Sequence, residues 1–458
     1  MPGKEHVRAV AASGNLSTGF RAESLRRAVS GGADFIGCDA GSTDAGPYYL
    51  GSGQARGPRE GVKRNTERIL REALAAGIPV IIGSAGYAGG RPHLHWLLEV
   101  VREVAKENSW HFKLAGIDSE VDKDALIGAL ASGEVTPLEP APPLDEGVVR
   151  NAQRFVAMMG VEPFQRALQA GAQVIVAGRS SDIAIYAALP LLRGIPPGVA
   201  LHAGKMLECG AASVAQRLYA DCMAADLDEQ GFTVEPPNPA MRCTPQSVAA
   251  HGLYENADPF RLVEPGGVLD TSMARYEAVS DRAVRVTGSC FIPSPAYTVR
   301  LEGASLVGYR SIAVAGIRDP LVIRQLDSYL SGLRTVLEHK IRDSVNLEPE
   351  QYTLTWRVYG RDGTLGKLEP ETSLPCHEVG LIIDLVAPTQ ALAAEMIPLI
   401  AHAGLHHPIP EHNGLISNLA FPFSPPGINV GPVYRFCANH VWKLKDPCAL
   451  FPMTLEDL

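Results

Sequence analysis

The chain has 458 residues with a formal net charge of −9, and 46% hydrophobic against 20% charged residues. That is the balance of a globular protein long enough for two or three domains, and the lack of any basic block argues against nucleic acid as a partner. No window approaches the ~20 apolar residues of a membrane span and the first residues hold no signal-peptide core, so the expectation is a cytoplasmic protein that acts away from the membrane. Its eight cysteines scatter without a C-x-x-C pair, which excludes a zinc ribbon and a disulfide framework.

Along the first half one local grammar recurs. A helical stretch at residues 22–29 precedes "ADFIGCDAGSTDAGP", which predicts a strand ending near Asp39. The helical "KRNTERILREALAAG" precedes "IPVIIGSAGYAGG", with a strand ending near Gly83. "HFKLAGIDSEVDKDALIGAL" is a weaker unit with an acidic loop at Asp118 to Glu120. "NAQRFVAMMGVEPFQRALQAG" reads as helix, and "GAQVIVAGRSSD" as a strand ending near Gly178. Strands that alternate with helices and end in Gly/Ser/Asp loops predict an α/β fold with a Rossmann-like, largely parallel sheet buried on both faces.

Near "VEPPNPAM" the grammar changes. Pro236, Pro237 and Pro239 suggest either a domain boundary near residue 235 or a long crossover. Strands dominate to about Gly316. A helix at 322–340, the strands "QYTLTWRVYG" and "EVGLIIDLVA" and the helix "TQALAAEMIPLIAHAG" follow, a split-βαβ order. The division expected is therefore 1–235, an α/β domain, and 236–458, an α+β domain whose last fifty residues are irregular.

In a parallel sheet, ligands bind at the carboxyl ends of the strands. The loop Arg179, Ser180, Ser181, Asp182 starts a helix, where a hydroxyl or carboxylate can cap and the free N–H groups favour an anion; Arg179 adds a fork for carboxylate or phosphate. The alternative is an ordinary N-cap beside a salt bridge. Asp39, Ser42 and Asp44, with Tyr48 beyond them, could supply a general base and a phenol acid or bind a divalent metal, or could simply stabilise the turn. Ser84 lies in a further strand-end loop. His93 and His95, spaced i, i+2, point to different faces of a helix, one buried and one exposed. Lys205 and Glu208 share a helix face at i, i+3, and Cys209 follows as an inert core thiol or a nucleophile. The polar run His251, Tyr254, Glu255, Asn256, Asp258 is a candidate lining loop, whereas Tyr309, Arg310, Arg318 and Asp319 suit ion pairing or a site equally. His402, His406, His407 and His412 cluster without the spacing of a metal site.

In order, "GADFIGCDAGS", "VIVAGRSSDIAIYAALPLL", "KMLECGAA" and "GYRSIAVAGIRDP" resemble the AtuA-like family, named for acyclic terpene utilisation. Asp39, the Arg179–Asp182 loop and Glu208 to Ala211 carry the likeness, which runs from about Ala11 to Gly316. The resemblance implies a Rossmann-like core and a role in the breakdown of branched or dicarboxylic small molecules. Relatives either end in a small ferredoxin-like tail or occur beside a separate small protein. No such tail is evident here, so a small companion subunit is expected. No biotin, CoA or nicotinamide motif is present, and no cofactor is predicted, although a divalent metal remains possible.

The expectation is an oligomeric lyase, a hydratase or dehydratase of a small hydroxy or unsaturated carboxylic acid or its acyl-CoA. Asp39, Asp44, Tyr48 and Lys205 are its candidate catalytic residues. Ser42, Ser84, Arg179, Ser180, Ser181, Asp182, Glu208, Cys209, Tyr254, Asn256 and Arg310 are candidates for substrate binding. Two rivals stay open: a metal-dependent hydrolase using Asp39, Asp44 and a tail histidine, and a large scaffold subunit active only with its small partner.

Overall fold

The computed structural model describes residues 6–254, 256–371, 376–411 and 417–458; Glu255 and His412 lie outside them. The chain forms two compact units, one running to Ser305 and resuming over Phe436–Leu458, the other Leu306–Arg435.

The first unit opens with β1 (His6–Ala11), α1 (Ala22–Ser30), β2 (Phe35–Gly41), α2 (Tyr48–Ser52), α3 (Arg59–Ala76), β3 (Val80–Tyr87), α4 (Arg91–Asn108), β4 (Lys113–Ile117) and α5 (Lys123–Ala131). Next come β5 (Val135–Pro137), α6 (Glu146–Asn151), β6 (Arg154–Ala157), α7 (Glu162–Gln169), β7 (Val174–Ala177), α8 (Asp182–Leu192) and α9 (Pro197–Leu207). They lead to β8 (Met223–Asp228), β9 (Gly231–Glu235), α10 (Pro245–Gly252), β10 (Arg261–Glu264), β11 (Gly267–Asp270), β12 (Arg275–Ala278), β13 (Val284–Thr287), β14 (Cys290–Pro293) and the long β15 (Tyr297–Ile317).

Its main sheet has ten strands in the order β12-β13-β9-β8-β1-β2-β3-β7-β4, closed by a last strand, β19 (Met453–Asp457). The middle five, β1-β2-β3-β7-β4, are parallel. β2, β3 and β7 are buried along their whole length, as strands covered on both faces must be, which explains the runs "FIGCDAG", "VIIGSAGY" and "VIVA". α3 and α4 cover one side with a stripe of apolar residues each. α9 is buried all round and α8 nearly so, so their uninterrupted apolar sequences mark core helices rather than amphipathic surface ones.

The second unit contains α11 (Pro320–Arg324), α12 (Leu326–Val345), β16 (Thr353–Tyr359), β17 (Val379–Ala387) and α13 (Gln390–His406) between the end of β15 and the start of β18 (Gly427–Leu444). The strands lie in the order β16-β17-β15-β18, so the β-α-β-β-α order anticipated for this region is present and β18 adds a further strand to it. Its own core joins the inner faces of α12 and α13 to β16 and β17.

Three expectations need correction. The division does not fall at residue 235: β13 returns to pair with β9, setting Val284 opposite Val234, so the proline-rich loop is a crossover inside one sheet. The segment 151–171 is not one helix, because β6 separates α6 from α7. The last residues are not irregular, since β18 and β19 occupy them and β19 pairs with β4 from Met453↔Ile117 to Asp457↔Lys113. None of the eight cysteines forms a disulfide. Among the described residues, no helix is long and apolar enough to cross a membrane.

Candidate active site

The carboxyl ends of β2, β3 and β7 bring Asp39, Ser84 and the Arg179–Asp182 loop together, as the strand-end reading anticipates. The backbone is built for close approach. Gly89, at φ +69°, leaves its α-carbon so near Arg179 that an added Cβ would stand 2.2 Å from the Arg179 nitrogen. Ser84 and Tyr87 adopt φ +49° and +94°, left-handed conformations that cost strain in non-glycine residues and occur mainly where surrounding structure enforces them.

Arg179 is the hub. Its Nε and Nη2 donate to the two carboxylate oxygens of Glu302 at 3.0 and 3.2 Å, and Nη1 donates to Ser84 Oγ at 3.2 Å. Its backbone N–H donates to Ser119 Oγ at 2.6 Å, and Asp182 Oδ1 lies 3.8 Å from Nη1. Burial alone would disfavour the guanidinium charge, but Glu302 and Asp182 hold it. The fork expected to receive a substrate carboxylate is thus filled by Glu302.

The carboxyls around it are held protonated to unusual pH. Asp39 is buried and accepts a hydrogen bond from Gly41 N at 3.1 Å. Burial, then the nearby Asp182 charge, push it well above the usual carboxylate range. Burial lifts Asp182 to about 6, against the pull of Arg179. Its Oδ1 is buried without a hydrogen-bond partner while the side chain as a whole is 37% exposed, so the carboxyl spans the protein interior and solvent. Glu264 rises to about 7 through burial, partly opposed by the Ser181 hydroxyl that donates to it at 2.5 Å. Ser181 stands at the N-cap position of α8 yet spends its hydroxyl on Glu264, and no side chain caps that helix. Two more buried hydroxyls have no hydrogen-bond partner: Ser180 Oγ and the Tyr186 phenol. Burial first, with Cys38 and Asp39 adding to it, keeps that phenol protonated.

On the other side, Lys205 Nζ donates to Glu208 Oε1 at 2.5 Å, both groups buried, so the predicted i, i+3 pair forms. Cys209, His251 and Tyr254 line a cleft of about 690 Å³. A smaller cleft of about 260 Å³ is lined by Glu264, Glu162, Tyr297 and Ala184.

Other predicted residues lie apart from this centre. Asp44 is exposed in its turn, where its N–H donates to Ser42 Oγ at 3.1 Å. It nonetheless acts electrostatically on Asp182. The Tyr48 hydroxyl donates to Gln54 Oε1 at 3.3 Å. Asn256 donates to the Gly252 carbonyl at 2.8 Å, tying off the end of α10. Arg310 belongs to the second unit, where it and Arg357 share Asp384 at 2.8 and 3.0 Å. Asp319 caps α11. His93 is buried, its Nε2 3.1 Å from the carbonyls of Tyr49 and Gln54, and His95 is exposed. His402, His406 and His407 are residues of the second unit, whereas Asp39 and Asp44 belong to the first. Among the described residues these do not form a ligand cluster.

Glu302, Glu264, Ser119 and Tyr186 were not singled out in the sequence. Only Tyr186 had a local signal, four residues after Asp182 and so on the same helix face.

Comparison with curated proteins finds no match, and comparison with solved structures finds none either. The sequence profile of the acyclic terpene utilisation family AtuA matches residues 7–414. With most of its length inside that match, the chain belongs to the AtuA family.

Proposed function

We propose that the chain is a catabolic enzyme that moves a proton beside a carbonyl, a hydro-lyase of a small hydroxy or unsaturated carboxylic acid or its acyl-CoA. One observation carries this reading. Two carboxyls are held near neutrality, Asp182 at about 6 and Glu264 at about 7, and the loop and helix that carry Asp182 also carry two buried hydroxyls without a hydrogen-bond partner, Ser180 Oγ and Tyr186 OH. Groups poised near the working pH are what general acid–base chemistry needs, and unpartnered buried donors suit an oxyanion.

In this mechanism ionised Asp182 takes the proton from the carbon next to the carbonyl. The electrons pass to the carbonyl oxygen, which Ser180 and Tyr186 stabilise, and return as the double bond forms. The carbon–oxygen bond to the leaving hydroxyl then breaks, and protonated Glu264 supplies the proton that makes it water. Asp39 is buried and pushed toward its protonated form, whereas Asp182 is partly exposed and titrates near 6, so the role of base moves to Asp182. Arg179 holds Glu302 and Asp182 in place. The uncapped N-terminus of α8 favours the substrate's negative charge.

A thermal-shift screen of the purified protein against di- and tricarboxylic acids and acyl-CoAs tests the assignment. A ligand at a hundredfold excess over its Kd stabilises by ~2.7 kcal/mol. The expected result is a carboxylate or thioester hit that weakens in Ser180→Ala and in Tyr186→Phe. Hits that ignore both substitutions would place the ligand elsewhere.

A further inference from the structure

The wide cleft has chemistry of its own. Cys209 and His251 line it, and together with the buried Glu208 they offer a carboxylate oxygen, a sulfur and a ring nitrogen that all lie within 4.8 Å of one another. Glu208 closes the C-terminus of α9, and the chain turns at Gly210, φ +58°, directly after Cys209. His251 comes from the last turn of α10. Two neighbouring ligands from one turn, joined by a third from a separate helix, is a common way to assemble a metal site.

An independent observation points the same way. His251 is 7% exposed, and its Nε2 is buried with no hydrogen-bond partner, while its ring stacks on Tyr254 with centroids 6.0 Å apart. A buried polar atom left unsatisfied costs about 1–3 kcal/mol. An imidazole held by packing with a buried nitrogen unengaged is suited to ligate a metal.

We propose that Glu208, Cys209 and His251 bind a tetrahedral transition-metal ion of the zinc type, with the fourth position open to the cleft. Sulfur and imidazole select zinc, cobalt or a similar ion over magnesium and calcium, which want oxygen ligands. Metal–ligand lengths of ~2.0–2.3 Å put tetrahedral donors ~3.5 Å apart, so from separations within 4.8 Å binding needs only a small closing of the three. Glu208 Oε1 is held by Lys205, which leaves the second carboxylate oxygen for the ion. The ammonium weakens attraction for any cation, so the site binds less tightly than an all-thiolate one. Three protein ligands and an open position characterise sites that polarise a substrate or a water rather than sites that merely staple a fold.

The site does not depend on the acid–base reading, and its test reads metal rather than turnover. Cobalt(II) is titrated anaerobically into the metal-stripped protein and followed by absorption. The expected result is one equivalent bound with a thiolate-to-cobalt charge-transfer band and visible bands of tetrahedral intensity. The charge-transfer band disappears in Cys209→Ser, binding weakens at least tenfold in His251→Ala, and both persist in Cys290→Ser. A second measurement needs no variant: one equivalent of zinc protects Cys209 of the wild-type protein from iodoacetamide, mapped by mass spectrometry. Absence of the thiolate band at one equivalent, its survival in Cys209→Ser, or unhindered alkylation of Cys209 in zinc would each overturn the proposal.

Discussion

Arg179 and Glu302 lie 123 residues apart in the chain and make a two-point hydrogen-bonded ion pair away from water. Removing one partner of such a pair leaves the other charged and unsolvated, at a cost of about 3–5 kcal/mol, whereas replacing both with apolar groups is far milder. Arg179→Met is therefore expected to lower unfolding stability by about that much in urea, and the added change Glu302→Leu to restore a large part of it. A double variant less stable than the single one would contradict the pairing. At the same scale, the pH profile of kcat/KM should rise as Asp182 loses its proton near pH 6 and fall as Glu264 loses its own near pH 7, a narrow bell. Asp182→Asn should cost about 10²–10⁴-fold in rate and erase the acid limb, and Glu264→Gln should erase the alkaline one. Limbs unmoved by either substitution would assign the acid and base elsewhere. Asp39, Ser84 and Arg179 to Asp182 were legible because each follows an apolar run and a glycine or sits at a helix start. Glu302 and Glu264 were not, because a partner met across the fold leaves no trace in local spacing.

At the scale of elements, the centre depends on loops that pass one another with no room for a side chain. Gly89→Ala combines a left-handed backbone, φ +69°, with a Cβ 2.2 Å from the Arg179 nitrogen. The expected outcome is a loss of at least about 1–3 kcal/mol, together with loss of ligand response in the thermal-shift screen. A stable, responsive Gly89→Ala protein would show that the Arg179 loop is held by other contacts. The strand–loop–helix units at β2, β3 and β7 were readable because in each a helix ends at glycine, an apolar run follows and a Gly/Ser/Asp loop closes it, a pattern that marks even β7 with its four residues. The stretch from α6 to α7 was not, since the four residues of β6 have no glycine directly before them and run on into Met158 and Met159, so the apolar run fits helix or strand equally. Residue type suggested a side-chain cap from Ser180, Ser181 or Asp182, and Ser181 takes the N-cap position without capping the helix. Its hydroxyl goes to Glu264 instead, a tertiary preference that no local rule contains.

The whole molecule joins distant parts of the chain in its first unit. The final strand adds to β4, which lies well before the middle of that unit's sequence, and Phe451, just before the final strand, is fully buried in the core. Phe451→Ala should therefore cost about 3–5 kcal/mol in urea unfolding, as a large core deletion does; a loss below about 1 kcal/mol would mean that the closing segment is dispensable. The proline-rich stretch at residues 236–239 suggested a boundary because composition changes there, but strand pairing decides domain membership, and β13 pairs back across it. The β-α-β-β-α order of the second unit was visible because its helices and strands are long and regularly spaced, whereas the strand that follows, β18, lies in residues expected to be irregular. The central claim concerns the first unit's acid–base centre, and hydrogen exchange from solvent tests it most directly. Wild-type and Asp182→Asn proteins are incubated in D₂O with a panel of small hydroxy and unsaturated acids and their CoA thioesters, and the products are read by proton NMR. The account predicts deuterium at the carbon beside the carbonyl of at least one compound with the wild type and none with Asp182→Asn. Incorporation that continues undiminished in Asp182→Asn, or none in any compound with the folded wild-type protein, would contradict it.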